Sequence, residues 1–260
     1  MTGIATIIRD VAMYLLVTSA ITILLLLINT PCILYPLIPS LNPYIDVKSY
    51  SLLGSSLFIS DLHLSRNVEV KVYSRIGKFV RENNISNIVI VGDLFDSPNA
   101  YEYVSYDELI VKAINILNIS NVDVYYVLGS SVHDPKINIE EFKFENVGVK
   151  VYITGYIARF KIDDLAIVAY HGDDFSRIGA LSFIISYITK KPILEYMWRK
   201  QAGVEDSVWL ICGHTHTPII DYRNKIANCG GWRILPIVKT PVGYGVIVDS
   251  NVSLIKILED

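Results

Sequence analysis

Cysteine occurs only three times in this 260-residue sequence, at Cys32, Cys212 and Cys229. An odd number of widely spaced thiols speaks against a disulfide framework and against a zinc knuckle, so all three are read as free thiols. Basic charge is not in excess either: 23 Lys and Arg stand against 26 Asp and Glu, a net charge of −3 with a pI near 6.0. A general nucleic-acid binder needs a basic field, so no nucleic acid is expected as a partner. No internal repeat or low-complexity tract appears, and the length suits one large domain or two small ones. Charged residues make up only 19 % of the chain against 52 % hydrophobic ones, with a mean hydropathy of +0.39. That balance is high for a fully soluble chain, and some of the apolar content is expected to sit in a membrane.

The stretch from Val11 to Ile28, "VAMYLLVTSAITILLLLI", carries no charge. Eighteen residues at about 1.5 Å per residue span roughly 27 Å, close to the hydrocarbon thickness of a bilayer. An N-terminal transmembrane helix within residues 1–30 is therefore expected, giving a single-pass anchor and a membrane localisation. A cleaved signal peptide fits less well, because its apolar region is shorter and ends in a small-residue cleavage site; a buried core helix is the bland alternative. Arg9 beside Asp10 and Lys48 and Arg66 beyond the run leave the orientation open, with the free thiols favouring a cytoplasmic domain. A proline-rich connector, residues 31–50, follows.

From residue 51 to 260 the pattern becomes that of one α/β domain. Apolar runs "LLGSSLFIS", "NIVIVG", "VDVYYVLG", "LAIVAYHG" and "SVWLICG" read as buried strands. Between the first two, Val68, Val72, Ile76, Phe79 and Val80 share one helical face; between the next two, Leu109, Ile110, Ala113, Ile114 and Leu117 do the same. Such alternation implies a sheet covered by helices. The strand-rich C-terminal part, with "YGVIVDS" and "VSLIKIL", suggests a second sheet packed on the first.

All five histidines stand at or just beyond the C-terminal end of one of these strands: His63, His133, His171, His214 and His216. A lone histidine there is more often structural; five of five point to chemistry. The "IVIVGDLFD" strand end adds Asp93 and Asp96, and Asp61 lies two residues before His63. Strand C-termini form the ligand-binding edge of open α/β sheets, so these side chains are expected to converge. Imidazole and carboxylate without thiolate suit Mn, Fe or Zn. Two such ions about 3.5–4 Å apart can hold a hydroxide and clamp phosphoryl oxygens. Gly92 before Asp93 permits a tight turn that aims the carboxylate.

The ordered set "SDLHLS", "GDLFD", "HD", "YHGD" and "GHTHTP" resembles the calcineurin-like metallophosphoesterase family over about residues 55–250. The resemblance implies a sandwich of two mixed β-sheets flanked by helices. It implies two divalent ions, Mn first and Fe or Zn as alternatives. Asp61, His63, Asp93 and His216 would hold the first ion, and Asp93 would bridge to the second with His171 and His214. His133 would stabilise the phosphoryl transition state or protonate the leaving oxygen, with Asp134 orienting its ring. Asp96 and Asp173 are read as supporting or capping residues rather than ligands. One departure stands out: where the family runs Gly-Asn-His-Asp, this chain has Ser130, Ser131 and Val132 between Gly129 and His133. Val132 cannot ligate, which leaves Ser131, Ser130 or a water to replace the asparagine.

Residues 177–203, "RIGALSFIISYITKKPILEYMWRKQAG", are apolar and locally basic, with Arg177, Lys190, Lys191, Arg199 and Lys200 against a single acid, Glu195. They read either as packed helices or as a helical cap in which cations meet phosphate and apolar side chains meet acyl chains. With "NCGGW", this insertion is similar to the UDP-2,3-diacylglucosamine pyrophosphatase branch. The first functional expectation is accordingly a membrane-anchored phosphoesterase or pyrophosphatase acting on a phosphate-containing, lipid-linked or nucleotide substrate. The alternatives are a phosphodiesterase or phosphatase for a soluble substrate, and a non-catalytic membrane-attached scaffold of the same fold.

Overall fold

The computed structural model describes residues 11, 13–16, 18–19, 47–98, 100–101, 105–129, 132–137, 139–173, 179–233 and 242–258. Two mixed sheets face each other, with helices on their outer sides.

The seven-stranded sheet has the order β13-β12-β2-β3-β4-β6-β5. It is formed by β2 (Ser56–Ile59), β3 (Asn87–Val91), β4 (Asp123–Val127), β5 (Glu141–Phe144), β6 (Val149–Gly155), β12 (Tyr244–Val248) and β13 (Val252–Lys256). Strands β2, β3, β4 and β6 run parallel, and the others are antiparallel to their neighbours. The crossovers β2-to-β3 and β3-to-β4 carry α1 (Val70–Glu82) and α2 (Tyr106–Leu117). The six-stranded sheet has the order β1-β7-β8-β9-β11-β10. Its members are β1 (Lys48–Leu52), β7 (Ile157–Ile162), β8 (Leu165–Tyr170), β9 (Trp209–Cys212), β10 (Ile219–Asp221) and β11 (Ile226–Asn228). Two further helices, α3 (Gly179–Thr189) and α4 (Ile193–Gln201), lie between β8 and β9 in sequence.

The unbroken apolar strands serve two cores at once, because successive side chains point to opposite faces. In β3, Ile88 and Ile90 join the cluster under α1 and α2, while Val89 and Val91 join the cluster between the sheets. The helix faces match: Ile76, Val80, Leu109, Ile110, Ala113, Ile114 and Leu117 are buried there. Fully burying such side chains is worth roughly 1.5–3 kcal/mol each. Helix α2 is closed at its start by a capping box, in which Ser105 accepts from the Glu108 N–H and Glu108 returns a bond to the Ser105 N–H. A third cluster covers the outer face of the six-stranded sheet, where Leu194 and Trp198 of α4 pack on Val168, Tyr170, Leu210 and Cys212.

Two expectations change. The pattern of apolar runs groups β8 and β9 with β2, β3 and β4, and the C-terminal strands with a separate sheet. In the structure β8 and β9 belong to the six-stranded sheet, and β12 and β13 complete the seven-stranded one. An apolar run reports burial on both faces and not the identity of its neighbours. The membrane anchor is the second correction: among the described residues, no helix is long and apolar enough to cross a membrane. Apolar composition alone does not make a span, which also needs an unbroken helix of about twenty residues. The single-pass localisation and the membrane as a partner are withdrawn with it. Most of residues 11–28, and the connector up to residue 46, lie outside the described residues, as does Cys32. Cys212 and Cys229 are free and buried.

Candidate metal centre

Both sheets deliver residues to one place. Asp61 and His63 follow β2, Asp93 follows β3 and His133 follows β4; His171 follows β8, and His214 and His216 follow β9. The loops are stitched to one another. The Asp61 N–H donates to the Gly92 carbonyl at 3.2 Å, that of His63 to the Asp93 carbonyl at 3.0 Å, and that of Trp232 to the Asp61 carbonyl at 3.0 Å. Asp61, His63, Asp93, His214 and His216 all have positive φ, between 47° and 65°. Left-handed backbone outside glycine costs of order 1 kcal/mol or more per residue and persists where surrounding contacts over-determine it. Gly92 has φ +73°, and a Cβ there would come within 2.3 Å of the His171 ring, so close approach as well as the turn requires glycine.

The donor atoms fall into overlapping groups, each with members within 4.8 Å of one another: Asp61, His63 and His216; Asp93, His171 and His214; and His63, Asp93 and His133. Asp61 divides its labour. Its Oδ2 accepts from the Ser60 hydroxyl at 2.6 Å and the His214 N–H at 2.9 Å, while Oδ1 faces His216 Nε2 at 3.2 Å and His171 Nε2 at 3.9 Å. Asp93 stands in the middle, its Oδ2 lying 3.2 Å from His171 Nε2, 3.8 Å from His133 Nε2 and 3.9 Å from His63 Nε2. Asp61 Oδ1, Asp93 Oδ1 and His171 Nε2 are buried with no hydrogen-bond partner among the described residues. Buried polar atoms in folded proteins are almost always satisfied, so this cluster of oxygens and imidazole nitrogens fits a pair of divalent cations.

Ring orientation follows from the opposite nitrogens. His171 Nδ1 lies 2.9 Å from the Val91 carbonyl and His133 Nδ1 lies 2.9 Å from the Asp96 carbonyl. A carbonyl only accepts, so Nδ1 carries the proton in each ring and Nε2 is turned toward Asp93. Burial lowers the His63 pKa to about 4, despite the opposing charges of Asp61 and Asp93. Burial and the neighbouring His171 lower that of His214 as well. Both rings are thereby kept neutral, the form that ligates. For His171 burial acts downward, but Asp93, Asp173 and Asp61 outweigh it and hold the ring well above the usual range. Burial would raise Asp93, yet His171, His63 and His133 bring its carboxyl below the usual range.

Asp134 takes a different place from the one expected. Its carboxylate accepts from the N–H groups of Gly129 at 2.7 Å, Asp93 at 2.9 Å and Leu94 at 3.0 Å, and Phe95 lies at 3.4 Å. The group that orients the His133 ring is the Asp96 carbonyl, and Asp134 instead anchors the turn that presents Asp93. Burial, with the Asp93 charge next, raises the Asp134 pKa to about 7. The Asp96 carboxylate pairs with Arg233 and lies 3.9 Å from His63 Nδ1. Asp173 lies 4.0 Å from His171 Nε2. Val132 is exposed, and Ser130 and Ser131 lie outside the described residues.

Four residues joined to the cluster were not singled out from sequence for this role: Ser60, Glu195, Asn228 and Arg233. Ser60 could have been suspected as the neighbour of Asp61, and Glu195 as the one acid of a basic segment. Asn228 and Arg233 carry no such signal.

No family model matches the chain, and no curated protein matches it. Among solved structures it is similar to the zinc complex of Vps29 from Entamoeba histolytica, at 18 % identity over 77 % of this chain and 96 % of that one, with a TM-score of 0.42. It is also similar to the phosphoesterase YfcE from E. coli, at 16 % identity over 78 % and 93 % of the two chains, TM-score 0.44. An archaeal phosphodiesterase gives 16 % identity over 77 % and 98 %, TM-score 0.43. None of these three is described as a diacylglucosamine pyrophosphatase.

Proposed function

We propose that this chain is a calcineurin-like metallophosphoesterase, a metal-dependent phosphoric ester hydrolase acting as a phosphodiesterase or phosphatase on a substrate with no lipid requirement. The observation that carries this reading is the pair of ligand sets built from opposite sheets around Asp93, with His133 beside them. Asp61, His63, Asp93 and His216 would hold one divalent ion, and Asp93, His171 and His214 the other, manganese first and iron or zinc as alternatives. When bound, such a pair polarises phosphoryl oxygens and makes water a competent nucleophile near neutral pH.

The protein's own contribution is positioning and proton handling. Asp61 is fixed by Ser60 and the His214 N–H, so one oxygen faces the centre and needs no reorganisation when substrate arrives. His133 is partly exposed and directs Nε2 inward, with its Nδ1 proton committed to the Asp96 carbonyl. In its protonated form Nε2 donates a hydrogen bond to a phosphoryl oxygen or hands the proton to the leaving oxygen. A non-catalytic scaffold has no need for this partly exposed, oriented imidazole beside the ligand cluster.

The test is hydrolysis of a generic phosphodiester, a monoester and a phosphoanhydride in the presence of Mn, Fe, Co, Ni or Zn. Metal-stimulated turnover is expected, with Asp93→Asn abolishing it and lowering the metal content of purified protein. Absence of turnover across that whole panel overturns the reading.

A further inference from the structure

Helix α4 buries the one acid of the 177–203 segment. Glu195 Oε1 accepts from Asn228 Nδ2 at 2.9 Å and from the Thr215 hydroxyl at 3.2 Å, while Oε2 is buried with no hydrogen-bond partner among the described residues. The same Asn228 amide donates to the Gly213 carbonyl at 2.7 Å and lies 3.0 Å from Thr215 Oγ1. Asn228 Oδ1 in turn accepts from the Gly230 N–H at 3.0 Å. Thr215 is the residue between His214 and His216. Three positions along α4, the Trp198 ring lies 6.1 Å from the His214 ring. It also covers Gly172, next to His171, where a Cβ would come within 2.5 Å of the indole. Residues three apart share a helix face, so one face of α4 supports both loops.

This arrangement is expensive unless it does something. A buried carboxylate with one unsatisfied oxygen costs more than an apolar side chain of the same size would. The turn it supports is itself strained, with φ of 65° at His214 and 51° at His216, and such backbone relaxes unless its surroundings hold it.

We propose that Glu195 is a positioning residue for the metal centre: through Thr215 and Asn228 it fixes the Gly213–His216 turn so that both histidines are placed before any ion arrives. The inference rests on the metallophosphoesterase reading above and gives the α3–α4 segment a new role. Helix α4 braces the centre through Glu195 and Trp198, whatever the rest of the segment does.

The experiment compares Glu195→Ala, Glu195→Gln and Thr215→Val with the wild-type chain by calorimetric titration with Mn²⁺ and Zn²⁺, alongside circular dichroism and melting without metal. Glu195→Ala and Thr215→Val should bind ions roughly 10–100-fold more weakly. Glu195→Gln keeps a carbonyl acceptor at the Oε1 position and should rescue binding to near the wild-type level. Thr215→Val removes only a hydroxyl and keeps the volume, so it decides the matter even if Glu195→Ala fails to fold. Wild-type protein that binds two ions, with Thr215→Val binding them equally well, overturns the positioning role alone. Wild-type protein that binds none overturns the phosphoesterase reading itself.

Discussion

His133 shows how much depends on single atoms. Its Nδ1 is tied to the Asp96 carbonyl, which leaves Nε2 directed toward the ligand cluster, 3.8 Å from Asp93 Oδ2. Replacing it with alanine should lower kcat by roughly 10²–10⁴-fold, the usual contribution of general acid–base groups. Metal content should stay unchanged, and loss of both ions in that variant would instead make His133 a ligand. The imidazoles and carboxylates of the centre were legible in the sequence, because their types, their two-residue spacings and their places after apolar runs are side-chain properties. The partner of His133 was not. It is a backbone carbonyl, which every residue possesses, and the neighbouring Asp134 offered a misleading side-chain candidate. Asp134 spends its oxygens on backbone N–H groups that only the folded turn brings together.

Helices α1 and α2 could be read from periodicity because each buries a single face under one sheet. Helix α4 is less decided by sequence, which suits either packed helices or a cap over the site; Trp198 and Glu195 are almost wholly buried. Its buried acid makes a further expectation. Burial raises the Glu195 pKa from 4.5 to about 7, against the opposing hydrogen bonds of its own backbone N–H, Asn228 and Thr215. Between those values the folded chain keeps a proton that the unfolded chain has released. Stability therefore falls as pH rises through that window and levels off above it. Glutamine cannot ionise. The melting temperature of Glu195→Gln relative to wild type should consequently shift in the variant's favour between pH 4 and pH 8, by an amount worth a few kcal/mol or less. An unchanging difference across that range would mean that Glu195 titrates normally.

At the scale of the molecule, the two-sheet architecture was foreseeable in outline but its membership was not. Strand pairing joins β1 to β7 and β12 to β2 across long stretches of chain, and hydrophobicity carries no address for such partners. The expected membrane anchor is not supported either: among the described residues no helix is long and apolar enough to cross a membrane. Ions that bind only the assembled sandwich stabilise it by mass action. Saturating Mn²⁺ at about 100 times its dissociation constant should contribute about 2.7 kcal/mol per site. Differential scanning calorimetry should show the melting temperature rising with Mn²⁺ and returning with EDTA; a transition insensitive to both would show that no ion binds the native state.

Asp61, His63 and Asp93 come from one sheet and His171, His214 and His216 from the other, with His63 and His216 separated by 153 positions in the chain. A cation there acts as a rivet between two halves that the polypeptide synthesises far apart. The rivet has no hole until both plates are laid together, so uptake of an ion there would be a late event in the life of each molecule. It also follows that the last strand pairs to open should be those beneath the rivet, β2 with β3 and β8 with β9, and that the holo protein should come apart as one piece.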